Sequence, residues 1–180
     1  MALWGNTDAD EAKPKWMTSA EKADVYATDR GWVKLNGKGL EEVICSIGGL
    51  STSVGGADIN TSAFVGSAFD VSAGGNVDVR LTFNEKVTVT GSPTITITNS
   101  QAGGGSAATK TATYQSGSGT NKLVFRCTIG AAGSTVSADD VLSIAAQNIA
   151  LAGGTIKDTG TTTNSTVAVP AGTATNTAVA

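Results

Sequence analysis

Between Val77 and Phe83 every second residue is apolar: Val77, Val79, Leu81 and Phe83 alternate with Asp78, Arg80 and Thr82. Extended chain sends successive side chains to opposite faces, so this period gathers the apolar set on one side of a strand. A helix would scatter the same residues around its circumference. Leu123, Phe125, Cys127 and Ile129 repeat the pattern against Val124, Arg126 and Thr128, and the two runs predict core strands. Val87 and Val89 alternate with threonines, Gly91-Ser92-Pro93 interrupts, and Ile95 and Ile97 resume the alternation; this order predicts a β-meander. Ala108–Tyr114 reads as a further strand joined to Lys122–Ile129 through the glycine-rich connection Ser116–Asn121. Shorter signals lie at Val43–Ile47, Phe64–Val71, Val141–Ile144, Ile149–Leu151, Thr155–Ile156 and Val167–Val169. Short strands with one apolar face, separated by Gly, Ser and Asn, predict an all-β fold, an antiparallel β-sandwich.

The first 42 residues are a different material. They hold all three tryptophans (Trp4, Trp16 and Trp32) together with six basic and eight acidic side chains, whereas residues 43–180 are rich in Thr, Gly, Ala and Ser. Residues 1–17 show no apolar period and predict an extended arm. Thr18-Ser19-Ala20-Glu21 fits a capping box, so a short helix is expected over Ser19–Asp29, with Gly31 placed to end it. The division expected is therefore a docking arm over residues 1–42 and a sandwich over 43–180, with glycine-rich Ile47–Asn60 at the join. Large aromatics and arginine are the side chains that most often anchor protein interfaces. On that ground Trp4, Lys13, Pro14, Lys15, Trp16, Tyr26 and Trp32 are the candidate partner-binding residues. The alternative is that the tryptophans close the open end of the sandwich within their own subunit.

Catalytic candidates are few. Histidine is absent, which removes Ser-His-Asp and Cys-His arrangements, and Asp139, Asp140 and Asp158 remain as carboxylates for paired acid and base work. Adjacent residues of a strand diverge, so Asp139-Asp140 reads as a solvated turn. The same acids form no Ca²⁺-loop spacing. Gly103-Gly104-Gly105-Ser106 lacks the lysine and helix of a phosphate cradle and reads as a flexible hairpin tip. Cys45 and Cys127 fall in apolar runs and are expected as reduced, core-facing thiols. No enzyme, cofactor or metal site is expected. A net charge of −3 argues against a nucleic-acid surface, no segment has the apolar length of a membrane span, and no basic-then-apolar leader opens the sequence.

Two resemblances add to this reading. Leu81–Ile95, with Thr113–Phe125, resembles the immunoglobulin-like repeats of large bacterial surface proteins over about residues 71–158, which implies an immunoglobulin-like sandwich without a catalytic role. Met1–Asp8, with Lys13-Pro14-Lys15-Trp16 and Val25-Tyr26-Ala27-Thr28, resembles the opening of virion structural proteins from tailed phages of marine cyanobacteria. Together they imply a multi-copy virion protein made in the host cytoplasm. Its leading expected role is capsid decoration or cement, docked on the major capsid protein or another virion protein. A neck or tail component and an adhesin-like recognition module are the alternatives.

Overall fold

The computed structural model describes residues 13–28, 30–47, 56–106, 108–130 and 135–179. Thr18 caps helix α1 (Ser19–Asp24): the Glu21 amide donates to Thr18 Oγ1 at 3.3 Å, and the Thr18 amide donates to Glu21 Oε2 at 2.8 Å. The helix stops at Asp24, before the expected Asp29. Val25, Tyr26 and Thr28 are residue types that favour a pleated, half-buried surface, and they form strand β1 (Val25–Thr28), paired antiparallel with β2 (Gly31–Leu35). Gly31 does not cap a helix. It opens β2 at φ 119°, and a Cβ there would lie 2.1 Å from the Cys45 carbonyl oxygen. β3 (Glu41–Ser46) pairs with β2 and completes a three-stranded sheet. The expected join between residues 42 and 43 thus falls inside β3, and Val43–Ser46 belongs to the N-terminal sheet.

The remaining strands are β4 (Ile59–Phe64), β5 (Ala68–Asp70), β6 (Gly75–Thr90), β7 (Thr94–Asn99), β8 (Thr109–Ser116) and β9 (Thr120–Ile129). After them come β10 (Val141–Ser143), β11 (Gln147–Asn148), β12 (Thr155–Asp158), β13 (Ala168–Val169) and β14 (Asn176–Val179). Nine of these make one sheet, in the order β12-β6-β9-β8-β7-β10-β14-β5 with β4 also on β6, which curls into a half-barrel; β11 and β13 pair separately. Among the described residues the regular structure is all β apart from α1.

The expected meander does not form. β6 and β7 are separated in the sheet by β9 and β8, because the two apolar runs from Val77 to Val89 are one 16-residue strand that bends. Up to Thr82 it pairs with β9 on one side and β4 on the other; after a register shift between Thr82 and Val87 it meets β9 again at Val87, and its second half has β12 on the other side. Side chains satisfy the backbone groups that the bend removes from the ladder. Asn84 Oδ1 accepts from the Asp58 amide at 2.7 Å, and Asn121 Nδ2 donates to the Phe83 carbonyl at 3.2 Å. The expected Phe64–Val71 strand is likewise split, since the Val65 amide turns to the Asp78 carbonyl and β5 begins only at Ala68. β5 pairs parallel with β14, so the large sheet is mixed and not purely antiparallel, and its C-terminal segment is a strand.

The alternation seen in the sequence does fill the core. Val79, Leu81, Phe83, Val87, Leu123 and Phe125 are fully buried, each contributing on the order of 1.5–3 kcal/mol relative to exposure. The β8–β9 hairpin forms as expected, with Gly117 and Gly119 both at positive φ. A second, smaller cluster of Met17, Val25, Ala27 and Trp32 sits inside the N-terminal unit.

Candidate docking groove and the clamped loop

Three polar contacts hold the N-terminal unit to the outward face of the large sheet. Lys122 Nζ on β9 reaches Asp24 Oδ1 at 2.6 Å, Lys86 on β6 pairs with Glu41, and Lys86 Nζ also lies 5.5 Å from the Tyr26 ring centroid. Tyr26 is fully buried, and its hydroxyl donates to Glu41 Oε1 at 2.9 Å. Burial, followed by that bond to a carboxylate, pushes its hydroxyl well above the ordinary phenol range. Lys86 does the reverse for Glu41: with Tyr26 and Arg30 it holds the carboxyl below its usual range.

The seven candidate partner-binding residues separate. Trp4 lies outside the described residues. Lys13 is buried, with Nζ donating to the Lys22 carbonyl at 2.6 Å and lying 5.9 Å from the Trp32 ring centroid. Pro14 is also buried, and its carbonyl accepts from the Met17 amide at 3.1 Å. Trp32 and Tyr26 are fully enclosed by their own chain. The expectation that they face a partner is corrected on this point, because the β1–β2 hairpin places both inside the molecule. Lys15 and Trp16 remain on the surface, and Trp16 is 66% exposed.

Trp16 stands at the rim of an open groove of about 920 Å³ between α1 and the large sheet. Met17, Ala20, Ala23, Val25 and Ile44 give it apolar lining; Arg80, Thr61 and Thr82 from the large sheet, with Lys34 paired across from Val25, give it polar lining. Arg80 is in the groove because alternation on β6 turns it away from the core beside β4. The sequence marks Arg80 as outward-facing, yet nothing in it reveals that α1 would lie across that face.

The carboxylates do not converge. Asp139 is exposed at φ 68°, whereas Asp140 is fully buried, so the expected solvated turn is half correct. Asp140 accepts from Asn99 Nδ2 at 2.8 Å and from the amides of Gly103 at 2.8 Å and Ser137 at 3.0 Å. Burial alone would raise its pKa, but the amides of Ser137, Asn99, Gly103 and Gly105 outweigh that and hold it below the usual range. Asp158 is buried on β12, with four strands between it and β10 along the sheet. The expected loose tip at Gly103–Ser106 is instead folded tightly over Asp140: a Cβ on Gly105 would meet Asp140 Oδ2 at 2.0 Å. Asp140 is therefore a structural anion that orders a loop.

Among the described residues no group of three His, Cys, Asp or Glu side chains is arranged to hold a metal ion. Both cysteines are free, Cys127 is buried, and burial pushes its thiol up. No helix among the described residues is long and apolar enough to cross a membrane. These features define an all-β protein with a half-barrel sheet, an N-terminal unit seated on its outer face and one mixed apolar and cationic groove between them. Compared with models of known protein families, with curated proteins and with solved structures, the chain matches none.

Proposed function

We propose that this chain is a non-enzymatic virion structural protein that docks through its N-terminal region, with capsid decoration as its leading role. In this reading the half-barrel is an immunoglobulin-like sandwich serving as a folded body, and the major capsid protein or another virion protein receives the docking surface. The observation that supports docking is the exposure of Trp16 at the rim of an open groove, while Trp32 is enclosed. An indole left in water costs the free chain apolar hydration that burial in an assembly removes. The resemblance of the leading residues to phage virion proteins supports the choice of particle. Binding of this kind stabilises the assembled state by mass action.

The test is a particle reconstruction that locates the chain and counts it. Hundreds of copies on the shell support decoration, whereas tens or fewer at one vertex indicate a neck or tail part. Trp16→Ala is expected to weaken incorporation by about 2 kcal/mol; incorporation at wild-type occupancy would count against the docking surface.

A further inference from the structure

We infer that the groove beside Trp16 receives the leading segment, residues 1–12, of a second copy of this chain. The inference rests on the multi-copy, N-terminal docking reading above and names the partner for that surface. The acids of the groove are already engaged within the chain. Glu21 accepts from the Thr18 amide and hydroxyl, both at 2.8 Å, and Asp24 is paired with Lys122. Its cations are less committed. Arg80 makes no side-chain hydrogen bond or ion pair with any described residue, and Lys34 reaches Glu42 only at 3.9 Å. The unsatisfied charge in the groove is therefore positive, on a chain whose net charge is −3. The same groove is lined by apolar Met17, Ala20, Ala23, Val25 and Ile44. An occupant must supply apolar side chains and carboxylates together.

Residues 1–12 have that chemistry. They carry Met1, Leu3 and Trp4, then Asp8, Asp10 and Glu11, and no lysine or arginine. Fully extended they span about 40 Å, enough to leave one molecule and cross a neighbouring groove. Carboxylates near Arg80 and Lys34 give the contact its register, and the indole and aliphatic groups give it buried area. Every copy has one segment and one groove, so the contact is head-to-tail, and it closes into a ring or extends along a surface according to the rotation between copies. An acidic saccharide would also meet the cations, but the aliphatic lining of the groove offers nothing to its hydroxyls.

A charge exchange between full-length chains tests this. One variant carries Lys34→Glu and Arg80→Glu, and the other carries Asp8→Lys, Asp10→Lys and Glu11→Lys. Sedimentation over a concentration series is expected to show self-association of the wild type, weakened at least tenfold in each variant alone. An equimolar mixture of the two variants should regain association, because an acidic groove then meets a basic segment, and because it regains function the loss cannot be misfolding. A wild type that stays monomeric throughout, or a mixture no better than its components, would overturn the inference. So would Trp16 fluorescence that responds to tetragalacturonate in a chain that does not self-associate. None of these outcomes depends on a virion, so the exchange can fail while particle binding stands, and the reverse.

Discussion

Asn99 donates its side-chain amide to Asp140 at 2.8 Å, and both residues are buried. The pair ties the end of β7 to the turn before β10, and the same carboxylate gathers the Gly103 and Ser137 amides. A buried anion is tolerated only where donors replace its water, and here they come mainly from backbone that has no other partner to hand. Asp140→Ala should therefore cost about 3 kcal/mol or more, since it strands several buried donors at once. Asp140→Asn should cost less than Asp140→Ala but more than Asp139→Asn, which alters an exposed group. Chemical denaturation of the three variants gives the ranking directly.

Stability should fall at both ends of the pH scale. The Asp140 and Glu41 carboxyls are held below their ordinary values in the fold, so their contribution is complete above the unfolded values, about 4. It is lost as pH falls through the lower folded values, because the unfolded chain then binds protons first. Tyr26 has the opposite sign. Its folded value is raised, so its contribution is complete below about pH 10 and is lost as pH rises beyond that, when the unfolded phenol ionises first. Melting temperatures from pH 3 to pH 11 should show a plateau between two declines. Tyr26→Phe should remove the part of the alkaline decline above about pH 10, the earlier part belonging to the buried Cys127 thiol, and Asp140→Asn should flatten the acid one.

Glycines of the clamped loop should differ sharply in tolerance. A Cβ on Gly103 would lie 1.6 Å from the Ala138 carbonyl oxygen, a backbone atom that cannot move aside without opening the loop. Gly104 has open space around it, and its only demand is φ 91°. Gly104→Ala is thus expected to cost roughly 1 kcal/mol of backbone strain, and Gly103→Ala clearly more. Equal effects in thermal melts would show that the loop is not packed as described.

How far the sequence foretold this molecule varies with the range of the interaction. Period-two alternation put Val77, Val79, Leu81 and Phe83 on the core face, and the capping box at Thr18 was set by four neighbouring residues; both are local and both appear. The bend in β6 was not legible. It depends on Asn121 and Asp58, which lie far along the chain from Asn84. Asp140 was misread for the same reason, as its donors Asn99 and Gly103 lie 41 and 37 residues away. The aromatic N-terminal block drew attention to the right region, but composition could not divide it. Pairing of β1 with β2 encloses Trp32 and Tyr26 and leaves Trp16 outside.

Gln147 should matter more than a partly exposed glutamine usually does. Between the point where β10 leaves β7 at Thr98 and the isolated bridge of Thr94 to Ala150, the edge of β7 has no strand beside it at Thr96. The Gln147 side chain fills that gap as a short length of strand would: Oε1 accepts from the Thr96 amide and Nε2 donates to the Thr96 carbonyl, both at 2.7 Å. Gln147→Ala removes both bonds, with an expected cost of about 1–2 kcal/mol, and leaves an open strand edge.

The two described tryptophans supply the sharpest contrast. Trp32 is fully enclosed against Met17, Val25 and Ala27, so Trp32→Ala should cost about 3–5 kcal/mol and loosen β1 and β2 together. Trp16 is 66% exposed, so Trp16→Ala should leave the melting temperature within about 1–2 °C, corresponding to a few tenths of a kcal/mol at a surface site. If Trp16 serves association, the same substitution should still lower self-association or particle occupancy. Measuring stability and association on both variants separates a side chain that builds the fold from one that the fold presents. A Trp16→Ala chain that is destabilised as severely as Trp32→Ala would mean that the groove is part of the core.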